Sequence, residues 1–142
     1  MQWIIDTTHS AIEFSVRHLG IATVRGRFNT FTAAAEAGPD GQLTSVEAVI
    51  DAASIDTGTD QRDAHLRSAD FFDVEKFPEV RFASKKVEQK GGETVITGDL
   101  TLHGVTKSVP LALEVNGYQA ETPFGDTRAG FSASAEINRS DF

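Results

Sequence analysis

The chain has 142 residues, of which 39% are hydrophobic and 24% charged, and its formal net charge is −8. These values are typical of one globular domain and argue against disorder. The acidic balance argues against a nucleic-acid or anionic-membrane surface, because phosphate binding requires clustered Lys and Arg. The sequence contains no cysteine, which excludes disulfides, thiolate nucleophiles and cysteine-ligated metal sites.

The first residues lack the basic segment, long apolar stretch and small-residue cleavage site of a signal peptide. We therefore expect a cytoplasmic protein, or a periplasmic or secreted one whose signal has been removed. No apolar run is long enough to cross a bilayer, so we expect no integral membrane segment.

Alternation of apolar and polar residues, typical of strands with one buried face, begins over Ile12–His18. A second strand is predicted over Thr23–Ala37, with a bulge or bend at Gly26. Turn residues at 39–41 lead into a further alternating strand over 46–52.

Residues Thr59–Ala69 depart from this pattern and predict one short helix. Thr59 or Asp60 would cap it, and Asp63 would place negative charge in the first turn, where the helix dipole favours it. Leu66 is the expected apolar anchor, and Pro78 excludes a continuation of the helix.

Strands resume at Val80, and Gly91 with Gly92 predicts a hairpin turn into the next alternating segment. Gly104 starts another turn, and Pro110 in the following strand is expected on the outward face, at a bulge or near the strand start.

A loop over Gly117–Gly125 and a last strand over Ala129–Ile137 complete the pattern of about seven strands. Strands of this length twist and close, because closure removes exposed edges. We therefore predict an all-β fold, an extended antiparallel barrel with one short helix at about residues 59–69.

The predicted inward positions mix small and bulky residues. Ala48, Gly98 and Ala133 are small, whereas Phe14 and Phe82 are bulky. A packed core interdigitates such sizes, so one interpretation is complementary packing. The other is a narrow apolar tunnel, because small barrels have room either for side chains or for one small ligand.

The four histidines match no HExxH-like pattern, which favours hydrogen-bonding roles over metal binding. Ser10 beside His9 lacks a G-x-S-x-G elbow, which argues against a serine hydrolase. Arg62, Asp63, His65 and Arg67 form a dense polar cluster. Asp63 and Arg67, four residues apart, fit a surface ion pair, and the alternative is a rim that faces an anion.

Several motifs in order along the chain resemble those of the YceI-like, polyisoprenoid-binding family. They are Trp3, Asp6, His9, Ser10, Phe14, Val16, His18, Val24, Gly26 and Phe28, then Thr57, Arg62, Asp63, His65, Leu66, Asp70, Phe71, Phe72, Phe77 and Pro78, then Gly98, Leu100, Thr101, Gly104, Val105 and Thr106, and finally Gly130, Phe131, Ile137, Arg139, Ser140, Asp141 and Phe142. The resemblance implies a lipocalin-like barrel, often dimeric, with a long hydrophobic pore. Family members normally continue beyond the position of Phe142, so we expect one domain over 1–142 that lacks the family's C-terminal strand.

The resemblance implies an isoprenoid or other lipid as ligand and a homodimer. We expect no nucleic-acid partner, cofactor or metal, and no catalytic residue. The predicted apolar tunnel comprises Phe14, Val16, Phe28, Ile50, Phe82, Leu100, Leu113, Phe131 and Ala133. The predicted polar mouth for the head group comprises His18, Arg62, His65 and His103. Two alternatives stay open: an enzyme that acts on the lipid head group, and a stress-related protein that self-associates through an open edge.

Overall fold

The computed structural model describes residues 2–18, 22–39, 42–91, 93–119 and 128–142, with the backbone alone at 17, 18, 115–119, 128, 129 and 139. One α-helix, α1, spans Asp60–Arg67, and short 3-10 turns lie at Ala52–Ser54 and Arg139–Asp141. The strands are β1 (Gln2–Ile4), β2 (Ile12–His18), β3 (Ala22–Phe28), β4 (Phe31–Ala37), β5 (Leu43–Asp51), β6 (Ile55–Asp56), β7 (Glu79–Lys90), β8 (Glu93–Leu102), β9 (Val105–Gln119) and β10 (Arg128–Ser134).

The strands form two sheets. The larger has seven strands in the order β1-β4-β5-β7-β8-β9-β10, and the smaller has three in the order β2-β3-β6. Every recorded strand pair is antiparallel. The larger sheet curls into a half-barrel. The predicted all-β antiparallel architecture with one short helix is confirmed.

The strand predicted over Thr23–Ala37 is two strands, because the chain breaks at Asn29 and Thr30 and crosses from the smaller sheet to the larger. The predicted bulge at Gly26 is wrong, since Gly26 pairs with Phe14 in an unbroken register. A Cβ at Gly26 would lie 2.5 Å from Cζ of Phe14. Glycine is therefore needed there because the Phe14 ring approaches the backbone closely. From the sequence alone, a glycine with this role looks the same as a glycine at a bend.

The predicted loop over Gly117–Gly125 begins too early, because Gly117 pairs with Gly130 and β9 continues to Gln119. Residues 120–127 lie outside the described residues. Pro110 is exposed and pairs with Thr97 without a register shift, so it lies on the outward face but not at a bulge. Pro110 lies in the part of β9 that does not pair with β10. Its lack of a backbone N–H therefore removes no hydrogen bond between these two strands.

The turn between β8 and β9 has two residues, His103 and Gly104, both with positive φ, 54° and 73°. This is the backbone pattern of the tight turns that match the twist of a hairpin. The Phe77 ring lies against Gly104, where a Cβ would be 2.5 Å from Cε1 of Phe77. The turn predicted at Gly104 is confirmed, and it is held by the segment that precedes β7.

The centre of the core is a cluster of Phe82, Ile96 and Leu113, from three adjacent strands of the larger sheet. Ile96 is only 1% exposed. The Phe82 ring lies over Gly98, where a Cβ would be 2.6 Å from its Cζ and 2.5 Å from the Ala83 carbonyl oxygen. A bulky and a small residue are thus complementary at this point, as close packing requires.

Candidate ligand-binding site

Six of the nine residues predicted to line a tunnel share one face of the larger sheet, here named the apolar face. The registers place Ala48 opposite Phe82 and Phe82 opposite Leu100. Leu113 of β9 lies opposite Ala133 of β10, so the same face extends onto β10. Side chains of directly opposite residues share a face. The six residues are Ile50, Phe82, Leu100, Leu113, Phe131 and Ala133.

The other three predicted tunnel residues, Phe14, Val16 and Phe28, lie on one face of the smaller sheet. The ring centroids of Phe14 and Phe28 are 5.5 Å apart. Phe72, from the segment after α1, meets Phe28 edge-on with centroids 5.9 Å apart. Phe14, Phe28 and Phe72 therefore form an aromatic cluster that packs this segment against the smaller sheet.

Burial separates the predicted tunnel residues into two kinds. Phe28, Phe82 and Leu113 are 8%, 7% and 9% exposed and belong to the packed interior. Val16 and Phe131 are 49% and 40% exposed, and Ala133 is exposed as well. The exposed members are the ones whose surface is available to a ligand in this structure.

Arg62 and His65 lie together on α1, where they line an open cleft of about 380 Å³ with Thr59 and Gln61. The Arg62 guanidinium donates from Nε to Oγ1 of Thr57 and from Nη2 to its carbonyl oxygen, each at 2.8 Å. Both Arg62 and His65 are exposed, whereas Asp63 is buried. The cleft is therefore on the solvent side of the helix, where an arginine can hold an anion.

His65 and His103 lie at the same end of the larger sheet. His65 contacts Phe71 edge-on at 4.9 Å, and His103 contacts Phe77 edge-on at 5.0 Å between centroids. Phe71 and Phe77 both belong to the segment between α1 and β7, which joins the two positions. His65 Nε2 also lies 3.2 Å from Oδ2 of Asp70.

The side chain of His18 lies outside the described residues. Its backbone pairs with Ala22, at the opposite end of β3 from Arg27 and Phe28, with which β6 pairs. Ala22 and Phe28, at the two ends of β3, are six residues apart, which at ~3.3 Å per residue corresponds to ~20 Å. The structure thus brings Arg62 and His65 into one cleft, places His103 at their end of the fold, and places His18 at the other end.

Asp63 has a structural role that spacing alone does not reveal. It lies in the first turn of α1, as predicted, but it is 6% exposed, and among the described residues no ion pair joins it to Arg67. The predicted surface ion pair is therefore wrong. The Asp63 carboxylate instead accepts hydrogen bonds from the backbone N and the Oγ1 of Thr57. Thr59 is the N-cap residue, without a side-chain capping bond.

Two carboxyl groups, those of Asp56 and Asp6, are stabilised in their charged form. The Gly58 N–H donates to Asp56 and, with the Asn29 side chain and the charge of Arg27, lowers the pKa of Asp56. The hydrogen bond with the His9 side chain at 2.8 Å, assisted by the Thr8 N–H, lowers the pKa of Asp6. Hydrogen bonds that are made only by the charged form have this effect.

These shifts predict the direction of acid destabilisation. A carboxyl whose folded pKa lies below its unfolded value of 3.8 stabilises the fold above that value, and this contribution is lost as the pH falls through the folded pKa. We expect urea unfolding between pH 6 and pH 2.5 to show a smaller loss of stability in Asp56→Asn than in the unchanged protein. An identical loss in the two proteins would contradict the assignment.

Within the described part of the chain, no group of three or more His, Asp or Glu side chains could hold a metal ion. No helix among the same residues is long and apolar enough to cross a membrane. Lys107 is a polar residue on the apolar face that the sequence reasoning missed: it lies opposite Leu100. The signal was present, since alternation at Val109, Leu111 and Leu113 extends back to position 107.

These features define a class of protein, a curled antiparallel half-barrel with one apolar face and a single short helix. The model of the YceI-like domain matches residues 3–142, and the chain belongs to the YceI-like family. A UPF0312 protein of Vibrio vulnificus is 42% identical over 99% of this chain and 76% of its own length. Protein YceI of Escherichia coli is 41% identical over 94% of this chain and 70% of its own length.

Solved structures have the same fold. The YceI protein of Campylobacter jejuni superposes with a TM-score of 0.80 at 33% identity, covering 99% of this chain and 82% of that one. BcnA of Burkholderia cenocepacia superposes with a TM-score of 0.84 at 26% identity, covering 97% of this chain and 83% of that one. The resemblance found in the sequence motifs is confirmed at the level of family and fold.

Proposed function

We propose that this protein binds and carries or sequesters a long apolar ligand, a polyisoprenoid or a related lipid, on the apolar face of the half-barrel. The observation that carries the proposal is the strand register, which brings Ile50, Phe82, Leu100, Leu113 and Phe131 onto one face. Phe131 is 40% exposed there. Burial of apolar surface provides affinity without requiring a particular head group.

Three of the four predicted head-group residues enter the proposal, all at one end of the fold. Arg62 and His65 offer a cation and a hydrogen-bonding ring in one open cleft, and His103 lies at the same end. We propose a binding role for them and not a catalytic one. The family resemblance also makes a homodimer part of the proposal.

The test is native mass spectrometry combined with lipid extraction of the purified protein, which reports bound ligand and oligomeric state together. We expect a co-purified isoprenoid or other long-chain lipid. Phe131→Ser should weaken rebinding of that lipid about tenfold, because a large side chain loses its apolar contact. Ile4→Ser is the matched control, since Ile4 is 79% exposed but lies on the opposite face.

Two results would contradict the ligand proposal, and a third would contradict the dimer alone. The first is a protein that carries no lipid and rebinds none after delipidation. The second is equal weakening of lipid binding by Phe131→Ser and Ile4→Ser. A strictly monomeric protein at high concentration would contradict the dimer and leave the ligand proposal in place.

A further inference from the structure

Lys107 is a cation on the apolar face. It lies directly opposite Leu100, which packs against the core cluster. Two residues further along β9, Val109 has the same orientation and is 5% exposed. Lys107 is itself exposed. The Lys107 ammonium group therefore lies at the solvent-exposed border of the apolar face.

The other strand lysines differ from Lys107 in having carboxylate partners. Lys85 Nζ lies 2.9 Å from Asp99, and Lys86 lies 3.4 Å from Glu88. Lys90 lies 4.0 Å from the same glutamate. In the parts of the chain that the structure describes, Lys107 makes no ion pair. Its charge is free to meet an anion from outside the protein.

The surroundings of Lys107 are amphipathic. β10 pairs only with Ala112–Gln119, so it leaves the edge of β9 at residues 105–111 free. The segment after β10 and residues 107–110 together line a cleft of about 210 Å³. Its apolar side chains are Val109, Pro110, Ile137 and Phe142, and its polar ones besides Lys107 are Ser108, Glu136, Asn138 and Asp141.

We propose that Lys107 contacts the head group of the bound lipid and that this cleft favours a singly charged oxygen acid, such as a carboxylate, at the end of the apolar chain. The inference rests on the proposed function. Lys107 attracts an anionic head group that contacts it directly. Glu136 and Asp141 add two negative charges to the same cleft, so they repel a multiply charged head group more strongly than a singly charged one. Arg62 and His65 lie on the solvent side of α1, whereas Lys107 lies on the apolar face itself.

The experiment compares three ligands with the same twenty-carbon chain: geranylgeranoic acid, geranylgeraniol and geranylgeranyl diphosphate. Calorimetric titration of the delipidated protein at low salt should show tighter binding of the acid than of the alcohol, with the diphosphate no tighter than the acid. Lys107→Met should weaken binding of the acid about fivefold and leave the alcohol unchanged. Lys86→Met is the control and should change neither.

The outcomes separate this inference from the proposed function. If the unchanged protein binds none of the three ligands, the proposed function fails and the head-group assignment fails with it. If it binds them and Lys107→Met leaves the ratio of acid to alcohol affinity unchanged, only the assignment of Lys107 is overturned. Tighter binding of the diphosphate than of the acid would overturn the preference for a single charge.

Discussion

Replacing Phe82 by alanine should lower the free energy of unfolding by about 3–5 kcal/mol. Phe82 is 7% exposed and belongs to the core cluster with Ile96 and Leu113. Its ring also lies over Gly98, which has no side chain of its own to occupy the space that the loss of the ring would leave. The substitution therefore removes buried apolar surface and leaves a cavity in the core cluster. Urea unfolding followed by circular dichroism measures the effect.

Phe131→Ala provides the matched comparison, because Phe131 is an aromatic residue on the same face but is 40% exposed. We expect it to cost about 1 kcal/mol or less, since most of the ring's transfer free energy is not gained on folding. Both proteins must be delipidated first, because a bound ligand adds to apparent stability. Equal losses in the two variants would mean that the apolar face is uniformly packed and would weigh against a ligand-accessible region near Phe131.

Replacing Asp63 by alanine should destabilise the fold by about 2–3 kcal/mol, the second largest effect that we expect. The Asp63 carboxylate is buried and accepts from both the backbone N and the hydroxyl of Thr57. Its removal leaves these two donors unsatisfied at the start of α1. It also loosens the residue whose carbonyl and hydroxyl oxygens hold Arg62.

Asp60→Ala is the control for Asp63→Ala, since Asp60 is also an acidic residue of the first turn but is exposed. We expect it to cost about 0.5 kcal/mol, the size of a helix-dipole contribution at the surface. Thermal unfolding of the two variants at neutral pH makes the comparison. If the two substitutions have the same effect, the hydrogen bonds to Thr57 contribute nothing beyond the helix dipole.

The site could be predicted in part. Alternation placed Ile50, Phe82, Leu100 and Leu113 on one buried face, and the registers agree with that placement. The polar mouth could not be assembled from sequence, because His18 ends β2, His65 lies on α1 and His103 lies in the turn between β8 and β9. No local pattern reports which end of a sheet a hairpin or a helix occupies. Lys107 was missed because the alternation was followed only through apolar residues.

The sequence by itself determined the antiparallel β character, one short helix and the turn at Gly104, since each depends on periodicity or backbone conformation within a few residues. The helix was predicted over 59–69 and is observed over Asp60–Arg67. The tertiary structure alone decided the division into two sheets, the close approach of Phe14 to Gly26 and the burial of Asp63. These depend on contacts between segments distant in sequence, or on which side of a short helix meets the core. The spacing of residues along the chain predicts neither these contacts nor the buried side of the helix.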